Sequence, residues 1–250
     1  VIALRTGEEI TKLRQSADIL VNTFVEVAKA LVPGMTTKEL DLIAEKTIRS
    51  RGGRPAFKGY SGYPASICVS VDQEVVHGIP GKRRLQDGSL VSIDIGVEWG
   101  GYFSDAAKTY ILGEVDRRKA ELSDVTRKAL WEGIKKCLPG RRLSDLSHAI
   151  QVTVEKAGFS VVRDLVGHGV GRELHESPQI PNFGPKGQGP LLQKGMVLAI
   201  EPMVNMGGFE VVVLDDGWTV VTVDGQPSAH FEHTVLITDG EPEVLTLGIE

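Results

Sequence analysis

Cysteine is scarce in this chain. Among 250 residues there are only Cys68 and Cys137, far apart and outside any C-x-x-C pair. Disulfide staples are therefore excluded as the basis of the fold, and a reduced, cytoplasmic setting is expected. Long apolar runs are missing as well, so no segment is expected to cross a bilayer. There is no basic start followed by an apolar stretch and a small-residue cleavage site, which argues against a secretory leader. Positive charge is in deficit: 28 Lys and Arg against 33 Asp and Glu leave a net −5. Bulk or sequence-specific nucleic-acid binding is not expected from that balance. What remains is an ordinary globular composition, 41% hydrophobic and 24% charged, long enough to bury a core without staples.

The helical signals come in two matching sets. Thr6 and Glu9 form a capping box, followed by Ile10, Leu13, Ala17, Leu20, Phe24, Val27 and Leu31 at helical spacing, and Pro33-Gly34 as a stop. Thr36 and Glu39 open a second helix through Leu40, Ile43 and Ile48, ended by Gly52-Gly53. Later a helix through Leu122, Val125, Ala129, Ile134 and Leu138 is expected to stop at Pro139-Gly140. Another, with Ser144 as its expected cap, runs through Leu146, Ile150 and Val154 to Gly158. Adding 106 carries Pro33-Gly34, Leu40 and Gly52 onto Pro139-Gly140, Leu146 and Gly158. Adding 107 carries the strand Gly88–Asp94 onto Gly195–Glu201. The expectation is an α+β fold of two pseudo-symmetric halves, roughly 1–115 and 116–250, each with two helices outside a largely antiparallel sheet. A single catalytic domain would span 1–250.

The repeat matters for where it puts carboxylates. In Leu90-Val-Ser-Ile-Asp-Ile95 strand alternation sets Leu90, Ser92 and Asp94 on one face and Val91, Ile93 and Ile95 on the other. Glu201 is its counterpart, sharing a face with Val197 and Ala199. Asp105 and Glu232 supply a second acid from each half, each expected at the start of a strand. An acid in an apolar strand is costly unless paired or bound to metal. Two like charges about 4 Å apart repel by roughly 4 kcal/mol at an effective dielectric near 20. Four converging carboxylates therefore need protons or cations, and two divalent ions would balance them. His168 lies among glycines in Val166-Gly-His-Gly-Val-Gly171, where backbone can approach closely. That stretch fits neither the dinucleotide fingerprint nor a P-loop. His175-Glu176 is not a zincin helix either, because Gln179 stands four residues after His175 and Pro178 would break the helix. His77, in Glu74-Val-Val-His-Gly-Ile-Pro80, is a further candidate, although a lone histidine is more often structural.

Together Ser92-Ile-Asp-Ile-Gly96, Ser104-Asp-Ala-Ala107, Gly167-His-Gly-Val-Gly-Arg-Glu-Leu-His-Glu176, Ile200-Glu-Pro-Met203 and His230-Phe-Glu-His-Thr234 resemble the type I methionine aminopeptidases. The likeness runs from the first helix to the last strand, without the large insert of the type II enzymes. It implies the pita-bread fold and removal of the initiator methionine from nascent polypeptides when the second residue is small. It implies two divalent ions (Mn, Fe(II), Co or Zn) on Asp94, Asp105, His168, Glu201 and Glu232, with Asp105 and Glu232 bridging. A water activated between the ions would attack the scissile carbonyl. His175 would steady the oxyanion, Glu201 would shuttle the proton, and His77 would sit beside the scissile nitrogen. Tyr60, Tyr63, Cys68, Leu174, Met203 and Trp218 would form the methionine pocket. Leu174 stands where many relatives have an aromatic residue, and Asp72 replaces an asparagine near a proposed monovalent-cation site. A monomer is expected. Transient ribosome contact is expected through Lys82-Arg83-Arg84, Arg117-Arg118-Lys119 and Arg141-Arg142. The rival readings are an inactive binding protein and an enzyme acting before proline. Metal titration and paired Met-Ala and Xaa-Pro substrates separate them.

Overall fold

The computed structural model describes residues 2–249. Among them four helices, α1 (Gly7–Ala30), α2 (Thr37–Ser50), α3 (Arg117–Ile134) and α4 (Leu143–Lys156), accompany four small sheets. No helix among the described residues is long and apolar enough to cross a membrane.

Both expected capping boxes form. Thr6 and Thr36 accept the N–H of Glu9 and Glu39, while those glutamates reach back to the cap N–H groups. Two expectations are corrected. α3 ends at Ile134, about a turn before Leu138, and a tight turn closed by Cys137 N–H to Ile134 O covers the gap. α4 is preceded by Arg142, not Ser144. Asp145 accepts the Arg142 N–H at 3.2 Å, and the Ser144 hydroxyl is spent accepting Gln188 N–H at 2.7 Å.

The first half pairs β1 (Arg54–Pro55), β2 (Cys68–Val71), β4 (Ser89–Trp99) and β5 (Tyr102–Leu112), all antiparallel, with β3 (Glu74–Val76) beside them. Its core joins Leu20, Phe24 and Val27 of α1 and Leu40, Ala44 and Ile48 of α2 to Val91, Ile93, Ile95 and Val97 of β4. Burying each such side chain contributes about 1.5–3 kcal/mol.

In the second half β6 (Ser160–Val161), β7 (Gly167–Gly169), β8 (Glu176–Ile180), β9 (Val197–Ile200) and β10 (Met203–Asn205) precede the β11 (Val211–Val213) and β12 (Val220–Thr222) hairpin. β13 (Ser228–His230), β14 (His233–Leu236) and β15 (Glu243–Val244) follow. A second core unites Leu122, Leu130, Leu146, Ile150 and Val154 with Leu198, Ile200 and Val235.

The halves repeat at the level of single hydrogen bonds. Gly34 N–H meets Leu85 O and Gly140 N–H meets Leu192 O. Thr37 N–H meets Arg83 O while Leu143 N–H meets Pro190 O, and Lys38 to Gly81 is matched by Ser144 to Gln188. The internal repeat read from glycines and prolines is thus a repeat of backbone pairing.

Candidate metal centre

Asp94 and Asp105 come from one hairpin. Asp94 pairs with Cys68 of β2 and Ala107 of β5, and Asp105 faces Gly96. Asp105 was expected to open its strand; it is instead the fourth residue of β5, because Gly100-Gly101 turns β4 back at once and Tyr102-Phe103 continue the pleat. Glu201 follows the last residue of β9, and Glu232 lies between β13 and β14.

A seam between the halves brings the two pairs together. Glu232 N–H donates to Ala107 O at 2.8 Å. The Thr234 hydroxyl donates to Asp105 O at 2.7 Å and accepts Asp105 N–H at 3.0 Å. One residue pair further along, Thr109 hydroxyl and His230 backbone hold each other at 2.8 and 2.9 Å.

His168 arrives on β7, paired with Ala199. A Cβ on neighbouring Gly169 would lie 2.3 Å from Ser177 O, so the strand packs this closely only with glycine there. His168 Nδ1 lies 2.9 Å from Gly169 O; donating there leaves the Nε2 lone pair facing the acids. Nε2 is 3.4 Å from Glu201 Oε1 and 3.9 Å from Asp105 Oδ2.

The electrostatics fit a cation. Asp105, His168 and Glu232 turn ligand atoms to one point, all within 4.8 Å of each other. Asp94 adjoins Asp105, and Glu201 adjoins His168. Asp94 Oδ1, Asp105 Oδ1 and Glu232 Oε1 are buried without any hydrogen-bond partner. Burial pushes Asp94 up to about 7 and Glu201 up to about 8. Burial and neighbouring carboxylates push Asp105 and Glu232 well above the usual range. Burial lowers His168 to about 4, so it is a neutral donor at neutral pH. Three orphaned acid oxygens beside a neutral imidazole make an oxygen-rich donor set suited to Mn, Fe(II), Co or Zn.

Above the acids is a cavity of about 120 Å³. Phe57, Tyr60, Tyr63, Cys68, Leu174 and Trp218 form its wall, and the five metal-site candidates with His77 and His175 complete it. Tyr63 and Trp218 meet edge-on at 5.1 Å, and the Tyr63 hydroxyl donates to the Gly78 or Ile67 carbonyl at 3.0 or 3.1 Å. His77 holds a left-handed φ of 61°, unusual for a side-chain-bearing residue. Burial, then His230 and His175, lower its pKa to about 4. His175 is also lowered, by burial; its Nδ1 lies 2.8 Å from the Tyr60 hydroxyl and its ring 4.3 Å from that of His168.

Met203 does not line this cavity. It lines an adjoining one of about 200 Å³ with His77, His175, Leu165 and Glu201, and packs on Val76 and Val162. Two residues join the site beyond those read from the sequence. Phe57 sits in an irregular loop with no periodicity to reveal it. His230 is fully buried, with Nε2 unpaired and 3.7 Å from Glu201 Oε2; its only signal was its place two residues before Glu232.

Residues 11–239 match metallopeptidase family M24. The chain belongs to that family. It is 52% identical to methionine aminopeptidase 1 of Bacillus subtilis (strain 168) over 246 residues, which cover 98% of this chain and 99% of that one. Identity to the methionine aminopeptidase of Clostridium perfringens is 51% over 247 residues, 99% of each chain. The methionine aminopeptidase structure of Thermotoga maritima superposes with a TM-score of 0.97 at 51% identity, covering 98% of this chain and 99% of that one. The prolidase of Pyrococcus furiosus, at 23% identity and a TM-score of 0.80, covers 97% of this chain and 65% of its own, and shares the fold alone. These likenesses identify the architecture as the pita-bread fold of the M24 enzymes.

Proposed function

We infer that this M24 chain is a methionyl aminopeptidase that removes the initiator methionine from nascent polypeptides with a small second residue. The carrying observation is the apolar, sulfur- and aromatic-lined cavity standing directly on the carboxylate–histidine cluster. Flexible thioethers favour such walls. Asp94, Asp105, His168, Glu201 and Glu232 would hold two divalent ions. Such ions lower the pKa of bound water and polarise a carbonyl.

The chain's own groups do the rest. Phe57, Tyr63, Cys68, Leu174 and Trp218 grip the methionine side chain, and the Asp94 side of the cluster takes the free amine. Only a chain end fits such a site. Tyr60, donating to His175 Nδ1, keeps the proton on His175 Nε2, where it meets the developing oxyanion. Glu201 carries the proton from the attacking water to the departing amine. His77, neutral at working pH, donates beside the scissile nitrogen. The residue after the scissile bond enters the neighbouring cavity beside His77 and Met203, where bulk displaces the carbonyl.

Nascent-chain substrates point to work in the cytoplasm, and one monomeric catalytic domain completes the reading. Its ribosome contact would be weak, because Arg83, Arg118 and Lys119 already pair with Glu74, Glu121 and Asp72. Comparing kcat/KM for Met-Ala-Ser and Met-Leu-Ser tests the reading. A ratio of about 100 or more is expected from a misplacement of about 1 Å, and equal values would refute the gating.

A further inference from the structure

One buried cation serves no step described so far. The Arg5 side chain, only 5% exposed, sets its guanidinium Nη2 on Glu176 Oε2. Arg5 is fixed from behind by its own N–H to Gly195 O at 2.8 Å. Glu176 Oε1 accepts two successive backbone N–H groups, Arg172 at 2.7 Å and Glu173 at 3.1 Å. The turn held in this way is closed by Gly171 N–H to Glu173 O at 3.1 Å, and anchored to β5 by Phe103 N–H to Gly171 O at 2.7 Å. Gly171 makes room for the pair: a Cβ would fall 2.0 Å from Arg5 Nη2, so the guanidinium occupies the space of the missing side chain. The next two residues, Leu174 and His175, line the cavity.

Stability does not account for the arrangement. A buried ion pair is a weak source of folding energy, and Arg5 Nε is left buried without an acceptor. Geometry does. A carboxylate with one oxygen on a fixed cation and the other on two amides has no freedom to rotate, and neither has the turn.

We propose that Arg5 and Glu176 are positioning residues that hold the 171–175 turn so that His175 stands over the metal cluster. This rests on the reading of His175 as the oxyanion donor. The pair acts through His175 and touches no substrate.

The test is a double-mutant cycle on metal-loaded enzyme, with metal content, Tm and the His ring NMR signals recorded alongside kcat and KM. Arg5→Met should lower kcat about 10- to 100-fold, the range of a displacement up to about 1 Å, with metal retained. Glu176→Gln should do the same, because its amide NH2 would face the guanidinium donors. The double variant Arg5→Met/Glu176→Gln keeps an acceptor for both N–H groups without that clash, so it should recover most of the lost kcat. In a His175→Ala background Arg5→Met should cost nothing further. The His175 ring signals should move in Arg5→Met, whereas those of His148, held at Gly184 O, should not. An equal kcat penalty with and without His175, or a lower Tm with unmoved His175 signals, would overturn the proposal. If His175→Ala alone left kcat intact while Arg5→Met still moved the ring, the positioning would stand and the oxyanion reading would fall.

Discussion

Gly78→Ala tests how closely the His77 segment must lie on the sheet. Gly78 rests flat on β2: its carbonyl accepts Val69 N–H at 2.9 Å and its N–H reaches Ser70 Oγ at 3.1 Å. A Cβ at this position would stand 2.3 Å from Val69 O. A carbon–oxygen contact needs about 3.3 Å, so the segment must lift by about 1 Å. Val69 belongs to the buried core and cannot retreat, so the movement falls on the strained His77 and on the Tyr63 hydroxyl bond to Gly78 O. A shift of that size predicts a loss of about 100-fold in kcat/KM, about 2.7 kcal/mol of transition-state stabilisation. Overpacking should also cost about 1–3 kcal/mol of stability, a Tm fall of about 2–12 °C for a chain this long. Gly81→Ala is the control, since the nearest atom to its Cβ is Ile79 O at 3.9 Å. Steady-state kinetics on Met-Ala-Ser with measured metal content decides it. A Gly78→Ala enzyme within about twofold of the parent would refute the argument.

Three further outcomes follow from the acid cluster and its histidines. Exhaustive chelation should abolish peptidase activity and Mn, Fe(II) or Co should restore it; full turnover by a verified metal-free sample would end the metal reading. The folded-state pKa values of Asp94 and Glu201, about 7 and about 8, lie above those of free carboxyls. At these two carboxyls the folded chain binds more protons than the unfolded one, a contribution to stability that is complete below about pH 4 and lost as pH rises through about 7 to 8. The buried His77 and His168, lowered to about 4, act oppositely below about pH 6.5, so the stripped protein should lose stability from about pH 6.5 to 8. Added divalent ion should cancel that fall, and a stripped-protein Tm that is flat or rising across the window would contradict the burial argument. His175→Ala should lower kcat about 100- to 1000-fold with metal retained; loss of metal instead would make His175 a ligand.

Much of the fold is legible because local and global signals agree. Thr6, Thr36 and the glutamates three residues later cap helices whose apolar stripes, Leu13 to Val27 and Leu40 to Ile48, are the buried ones. The acids were visible because a charge inside Val91-Ser-Ile-Asp-Ile95 conflicts with its neighbours. The remainder depends on partners distant in sequence. Ser144 looks like a cap until Gln188 claims its hydroxyl. Met203 reads as pocket wall, yet strand pairing with His230 turns it to the next cavity. Nothing in the sequence near Arg5 announces Glu176, which lies 171 positions away.

The seam between β5 and residues 230–234 has a consequence for motion. Each half has a large apolar core, and an opening of one half alone would part Asp94 and Asp105 from His168, Glu201 and Glu232. Small independent openings of this kind are normal in proteins with separable cores. An ion bound by residues of both halves is lost in every such opening, so its binding energy opposes all of them alike. Backbone amides in α2 and α4, one helix from each half, should then exchange with deuterium at separate rates in the stripped protein. Loaded with metal, they should exchange together and more slowly, as parts of one cooperative body.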